Sequence, residues 1–190
     1  ACELLTTVGD LSNWIVSNVT DMESMFCNCY LLTTVGDLSN WDTSNVTNMN
    51  WMFCNCYSLT SLDLSNWDTS NVTDMRGIFK GCTKLTSLDI SNFNTSKVTR
   101  ITTMFDNCSN LIIIEMQNSD YNSVNKVISE LPTRTSDSMG TLNITGIDDI
   151  SQVDIAAAES KYWNVENRFL VARYTANASG VVPTFNSGYV

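Results

Sequence analysis

Apolar residues recur along this chain at a fixed, long interval. Leu11-Ser12-Asn13-Trp14 returns as Leu38-Ser39-Asn40-Trp41, Leu64-Ser65-Asn66-Trp67 and Ile90-Ser91-Asn92-Phe93, at steps of 27, 26 and 26 residues. Val19, Val46, Val72 and Val98 keep those steps, as do Met22, Met49, Met75 and Ile101, and Phe26, Phe53, Phe79 and Phe105. Cys2, Cys29, Cys56, Cys82 and Cys108 form a further column. An interval of this length marks a repeat array, whose units cannot bury their apolar faces alone and share a core by stacking.

The unit from Leu59 to Cys82 shows which elements the pattern predicts. Leu59, Leu62 and Leu64 have the L-x-x-L-x-L spacing of a leucine-rich-repeat strand, with Leu62 and Leu64 on one face by two-residue alternation. Across the turn at Ser65-Asn66, the spacing of Val72, Met75, Phe79 and Cys82 puts four apolar side chains on one stripe of a helix. Thr69, Ser70 and Asn71 stand where that helix needs an N-cap. Gly9 and Gly36, which lengthen the first units, predict a small bulge. The fold class expected is an α/β repeat: a leucine-rich-repeat solenoid with a parallel β-sheet on one face and short helices on the other.

Beyond residue 116 the register is lost while the alternation of element types continues. Val124, Val127, Ile128 and Leu131 predict a helix before Pro132, Thr141–Thr145 a strand, Val153–Tyr162 a second helix and Phe169–Tyr174 a further strand. The domain reading is repeats of about 26 residues over 1–116, an atypical C-terminal cap over 117–175, and a following segment over 176–190. The chain starts inside a repeat, so a fragment of a longer protein is expected.

Residues 59–75 read Leu-Thr-Ser-Leu-Asp-Leu-Ser-Asn-Trp-Asp-Thr-Ser-Asn-Val-Thr-Asp-Met, a string that resembles the repeats of the BspA-like leucine-rich-repeat family of bacterial surface proteins. The resemblance covers roughly residues 1–116. Residues Leu131–Ser136 with Gly140-Thr141-Leu142 look like the cap that follows such repeats. The resemblance implies a secreted or cell-surface adhesion module with no shared catalytic residues, whose partner is a protein or glycan on a host or neighbouring cell. Similar repeats in prophage-encoded proteins keep a second reading open, a structural or receptor-binding component of a phage tail.

Charge and composition narrow the partners. Against 10 basic residues stand 20 acidic ones, and the net charge of −10 repels nucleic-acid phosphates and anionic membrane surfaces. No apolar run is long enough for a membrane-spanning helix. With no His, and no Gly-x-Ser-x-Gly or phosphate-binding Gly-rich loop, the commonest general base and metal ligand is missing and an enzymatic reading has nothing to build on. No cofactor is expected.

The candidate partner-binding site is an acidic column. Asp10, Asp37, Asp63, Asp89 and Glu115 follow one another at steps of 27, 26, 26 and 26, and alternation turns them outward on the sheet. Like charges at one strand spacing are unfavourable, so something must offset them. Hydroxyls such as Ser61, Ser65, Ser87 and Ser91 donating between the carboxylates is the plainer account. The alternative is a cationic ligand, either basic side chains of a partner or Ca²⁺. Trp14, Trp41, Trp67 and Phe93 read as packed rings rather than a sugar-stacking strip. Of the Asn-x-Ser/Thr sites at Asn18, Asn45, Asn71, Asn94 and Asn143, three recur in the cap position before an expected helix and read as cap residues. Five of the seven Cys lie in phase with the core, whereas Cys27 and Cys54 add a Cys-x-Cys to two adjacent repeats and leave a bridge between them open.

Overall fold

The computed structural model describes residues 2–117, 119–147 and 149–167. In chain order these carry β1 (Ser87–Asp89), β2 (Ile113–Gln117), α1 (Tyr121–Glu130), a 3-10 turn (Ser136–Ser138), β3 (Gly140–Thr145), a second 3-10 turn (Ile150–Gln152), α2 (Ile155–Glu159) and β4 (Trp163–Glu166). The four strands form one parallel sheet in the order β1-β2-β3-β4. Its register aligns Leu88 with Ile114, Leu142 and Val165, and Asp89 with Glu115, Asn143 and Glu166. The strand expected at Phe169–Tyr174 and the segment 176–190 lie outside the described residues.

Up to residue 117 the chain is held together by hydrogen bonds between successive repeats. Parallel bridges join Thr7 to Thr34, and run from Asp21 through Asn48 and Asp74 to Arg100. On one arm, Thr33 N–H donates to Thr6 and Thr60 N–H to Thr33; on a second column Thr47, Thr73 and Thr99 donate to Thr20, Thr47 and Thr73. The expected strand at Leu59–Leu64 is not formed: the extended ladder begins only at β1. Gly9 and Gly36, both at φ +75°, turn the two preceding repeats out of the extended conformation, so on that side Leu62–Leu64 has no straight strand to pair with.

The helices expected on the opposite arm are replaced by a ribbon of turns. Among the described residues no α-helix precedes Tyr121. Instead the N–H groups of Met22, Ser24, Phe26 and Asn28 donate to the carbonyls of Asn48, Asn50, Met52 and Cys54 in the next repeat. The intervening amides of Met25, Cys27 and Cys29 turn back to the carbonyls three residues earlier. The pattern recurs at Met49–Asn55 and Met75–Gly81. It needs a left-handed residue at every fourth step, and Ser24, Asn28, Trp51, Asn55, Gly77, Gly81, Thr103 and Asn107 all have φ between 56° and 62° except Gly81 at 76°. Such a ribbon throws every apolar column to one side, as a helix would, but ties each amide to a neighbour instead of to its own turn.

The expected N-cap residues likewise work between repeats. Thr69 Oγ1 accepts from Asn94 N–H at 2.8 Å and donates to Asn94 O at 3.2 Å, and Asn71 Nδ2 donates to Ser44 O at 2.8 Å. Val72, Met75, Phe79 and Cys82 are nonetheless fully buried, so the stripe is core even though no helix carries it. Aromatic rings run through that core as parallel stacks: Phe26, Phe53, Phe79 and Phe105 at 5.4, 6.0 and 5.9 Å, and Trp14, Trp41 and Trp67 at 6.3 and 6.2 Å.

After the last turn ribbon, α1 takes the place of a further one. Asp120 caps its start by accepting from Ser123 N–H, and Val124, Val127 and Ile128 face the core. Lys126 Nζ donates to Thr95 O at 2.6 Å and Val98 O at 3.0 Å, satisfying carbonyls at the end of the array. The second helix is shorter than expected: α2 stops at Glu159, and the chain turns into β4 with Tyr162 at φ 61°.

Candidate functional site: the acidic column

Each aspartate of the column opens a turn at the end of its strand arm. Its Oδ1 accepts the backbone N–H two residues on: Asp10 from Ser12 at 2.9 Å, Asp37 from Ser39 at 2.8 Å, Asp63 from Ser65 at 3.0 Å and Asp89 from Ser91 at 2.9 Å. This is the Asx turn that aspartate and asparagine form with their own chain, and it redirects the backbone toward the Trp or Phe that follows. The bond to Ser12, first through the hydroxyl and then through the N–H, holds the Asp10 carboxyl below the ordinary aspartate range. Ser39 and Ser65 do the same for Asp37 and Asp63. At Asp37 the charges of Asp63 and Asp10 push the other way but are outweighed.

The structure therefore corrects the expected way of offsetting the charge. Ser65 and Ser91 serve the carboxylate of their own repeat, and among the described residues no bond bridges neighbouring aspartates through Ser61 or Ser87. Asp10, Asp37, Asp63 and Asp89 are exposed, and each holds its turn through Oδ1. Among the described residues no three acidic or thiol side chains converge on a point where a metal ion would sit. As built, the column is a negatively charged ridge along the array.

Glu115 departs from the column. It is half-buried on β2, and its Oε1 accepts from Asn143 Nδ2 on β3 at 2.6 Å. Glu115 Oε2 and Asn143 Oδ1 are buried and, among the described residues, accept no hydrogen bond. Asn143 was singled out from the sequence only as an Asn-x-Thr site and not as a partner of Glu115, because β3 lies outside the 26-residue register that revealed the others.

The remaining candidates divide clearly. Trp41, Trp67 and Phe93 are 1–2% exposed and so closed to any ligand, whereas Trp14, at the first repeat, is 52% exposed. Asn45 and Asn71 spend their amides on Ser17 O and Ser44 O of the preceding repeat, both at 2.8 Å. All seven Cys are free, and in the five-membered column Cys56, Cys82 and Cys108 donate their thiols to Phe26, Phe53 and Phe79 carbonyls at 3.1, 3.3 and 3.0 Å. Burial above all pushes the Cys56 and Cys108 thiols up to about 12, so both stay protonated and structural at neutral pH.

Sequence reasoning paired Cys27 with Cys54 but did not foresee the charged contacts beside them. The position after the core Phe holds Cys27, Cys54, Lys80 and Asp106 in successive repeats, with Lys80 Nζ 3.3 Å from Asp106 Oδ2 and 5.6 Å from the centre of the Trp51 ring. Cys recurs in the first two of these positions, and the next two hold opposite charges.

No curated protein and no solved structure matches the chain. A family comparison does, over residues 2–118, and with the repeats described above this places the chain in the family described as "Mycoplasma protein of unknown function, DUF285".

Proposed function

We propose that the chain is a non-catalytic binding module, organised as a leucine-rich-repeat solenoid of the BspA-like kind, that a bacterium secretes or displays at its surface. Its partner is a protein or glycan on a host or neighbouring cell. The observation that carries this reading is the repeated, exposed polar face. Threonine columns lie in register, Thr6 with Thr33 and Thr60, and Thr20 with Thr47, Thr73 and Thr99. The acidic ridge forms a further column of the same kind. Identical groups repeated at one pitch suit an extended partner, and stacked repeats offer such surfaces in general. The charge of the ridge favours a partner with basic groups.

The test is saturable binding of the purified chain to host cells, matrix proteins and immobilised glycans, beside the variant Asp63→Asn with Asp89→Asn. Asparagine keeps the turn, as Asn94 shows by accepting from Ser96 N–H at 2.9 Å, so the variant removes charge alone. Binding weakened by the variant, with the difference shrinking as salt rises, is expected. Saturable binding of this chain to none of these surfaces would overturn the assignment.

A further inference from the structure

The column Cys27, Cys54, Lys80, Asp106 brings a thiol pair, an ammonium and a carboxylate into line. Register around the two thiols is set on both sides. The Phe26 and Phe53 rings stack at 5.4 Å, Asn55 Nδ2 donates to Asn28 Oδ1 at 2.8 Å, Tyr30 and Tyr57 stack at 5.1 Å, and Asn28 N–H donates to Cys54 O at 2.8 Å. Cys27 therefore faces Cys54 across one inter-repeat spacing of about 4.8 Å, inside the Cα separation of about 4.4–6.8 Å that a disulfide spans. The rest of the cysteine-rich core argues by contrast. Cys56, Cys82 and Cys108 give their thiols to buried carbonyls, while among the described residues Cys54 gives its thiol to none and has Cys27 as its neighbour.

The two thiols are unequal. Cys27 is half-buried and reachable from solvent, whereas Cys54 is 2% exposed with Lys80 beyond it. Burial, and then the neighbouring Cys27, push the Cys54 thiol upward, and the Lys80 charge pulls it back.

We propose that Cys27 and Cys54 are a redox pair that closes into a disulfide between adjacent repeats by exchange with an external small-molecule disulfide. The Cys27 thiolate attacks one sulfur of that disulfide; its S–S bond breaks, one half leaves as a thiolate that takes up the proton Cys27 released, and a mixed disulfide remains on Cys27. Cys54 then attacks the Cys27 sulfur, expels the second half, and passes its own proton to it. Two protein thiols are oxidised and one external disulfide is reduced to two thiols. Lys80 acts as a positioning residue, favouring the Cys54 thiolate at the moment of attack. The proposal does not depend on the binding role.

The experiment uses the full chain with the exposed Cys2 changed to Ser, incubated with oxidised glutathione and then mapped by proteolysis and mass spectrometry. The expected product is a linked pair of peptides carrying Cys27 and Cys54, with two of the six remaining thiols lost to titration in denaturant. Adding Cys54→Ser should leave a single glutathione adduct on Cys27. Adding Lys80→Gln should move the pH at which closure becomes half-maximal upward. Six free thiols after prolonged incubation, or bridges that bypass Cys27 and Cys54, overturn the pair; an unmoved pH profile in Lys80→Gln overturns the role of Lys80.

Discussion

Replacing Phe79 by Ala tests whether the array is held by its stacked core. The ring is fully buried and meets three others: Phe53 at 6.0 Å, Phe105 at 5.9 Å and Phe93 at 6.5 Å. Truncating a buried Phe costs about 3–5 kcal/mol through lost transfer and the cavity left behind. Each ring pair contributes about 0.5–1.5 kcal/mol beyond its buried area, so three pairs put Phe79→Ala near the top of that range, at about 4–5 kcal/mol. Phe26 is the control: 5% exposed and, among the described residues, stacked on Phe53 alone at 5.4 Å, it should fall at the bottom of that range, about 3 kcal/mol. Because a whole domain is stable by only about 5–15 kcal/mol, the first change threatens the fold and the second does not. Urea unfolding followed by far-ultraviolet circular dichroism and by Trp fluorescence reads both midpoint and slope. Equal costs for the two positions, or Phe26 the more costly, would refute the idea that the interior of the stack carries the stability.

Three further outcomes are expected. Asp74→Asn breaks the pairing with Arg76 at 2.7 Å and with Arg100 at 3.5 Å and should cost about 1–3 kcal/mol at pH 7. Burial pushes the Asp74 carboxyl up but the Arg76 hydrogen bonds and charge hold it net below the ordinary range; a lowered folded value stabilises above about pH 3.9 and is lost as pH falls through it, so melting of variant and wild type should converge near pH 2. Gly140→Ala would place a Cβ 2.6 Å from the Trp163 ring, whose Nε1 is fixed to Pro132 O at 2.8 Å; a loss of about 1–3 kcal/mol is expected, and an unchanged melt would show that the ring shifts freely. Leu4 and Ile15 are 84% and 88% exposed, so amide hydrogen exchange across Cys2–Leu11 should run about tenfold or more faster than at Leu64, and equal rates would show the first repeat to be as firmly packed as the third.

How far the residues announce this structure depends on which property is asked of them. Burial was legible: the Leu, Val, Phe, Trp and Cys columns repeat in phase, and from Leu32 to Leu111 nearly all of them are core. Conformation was not, because a spacing of 3, 4 and 3 is shared by a helix and by a ribbon of turns with a left-handed residue at each fourth step. The discriminating signal lies in the gaps between the apolar positions. Asn28, Asn55, Gly81 and Asn107 form a column of residue types that tolerate positive φ, and a helix of this kind would gain nothing from placing such residues in its interior. A similar overlap hid the use of the aspartates. Asp followed two positions on by Ser is the signature of a local turn, but a column of like charges draws attention to the neighbours across the sheet, and each carboxylate proves to be bound within its own repeat. The Glu115–Asn143 contact and the Cys54–Lys80 approach were beyond reach for a different reason: each joins unlike residues, one across the point where the repeat register ends and one where a column passes from Cys to Lys, so periodicity carries no information about either.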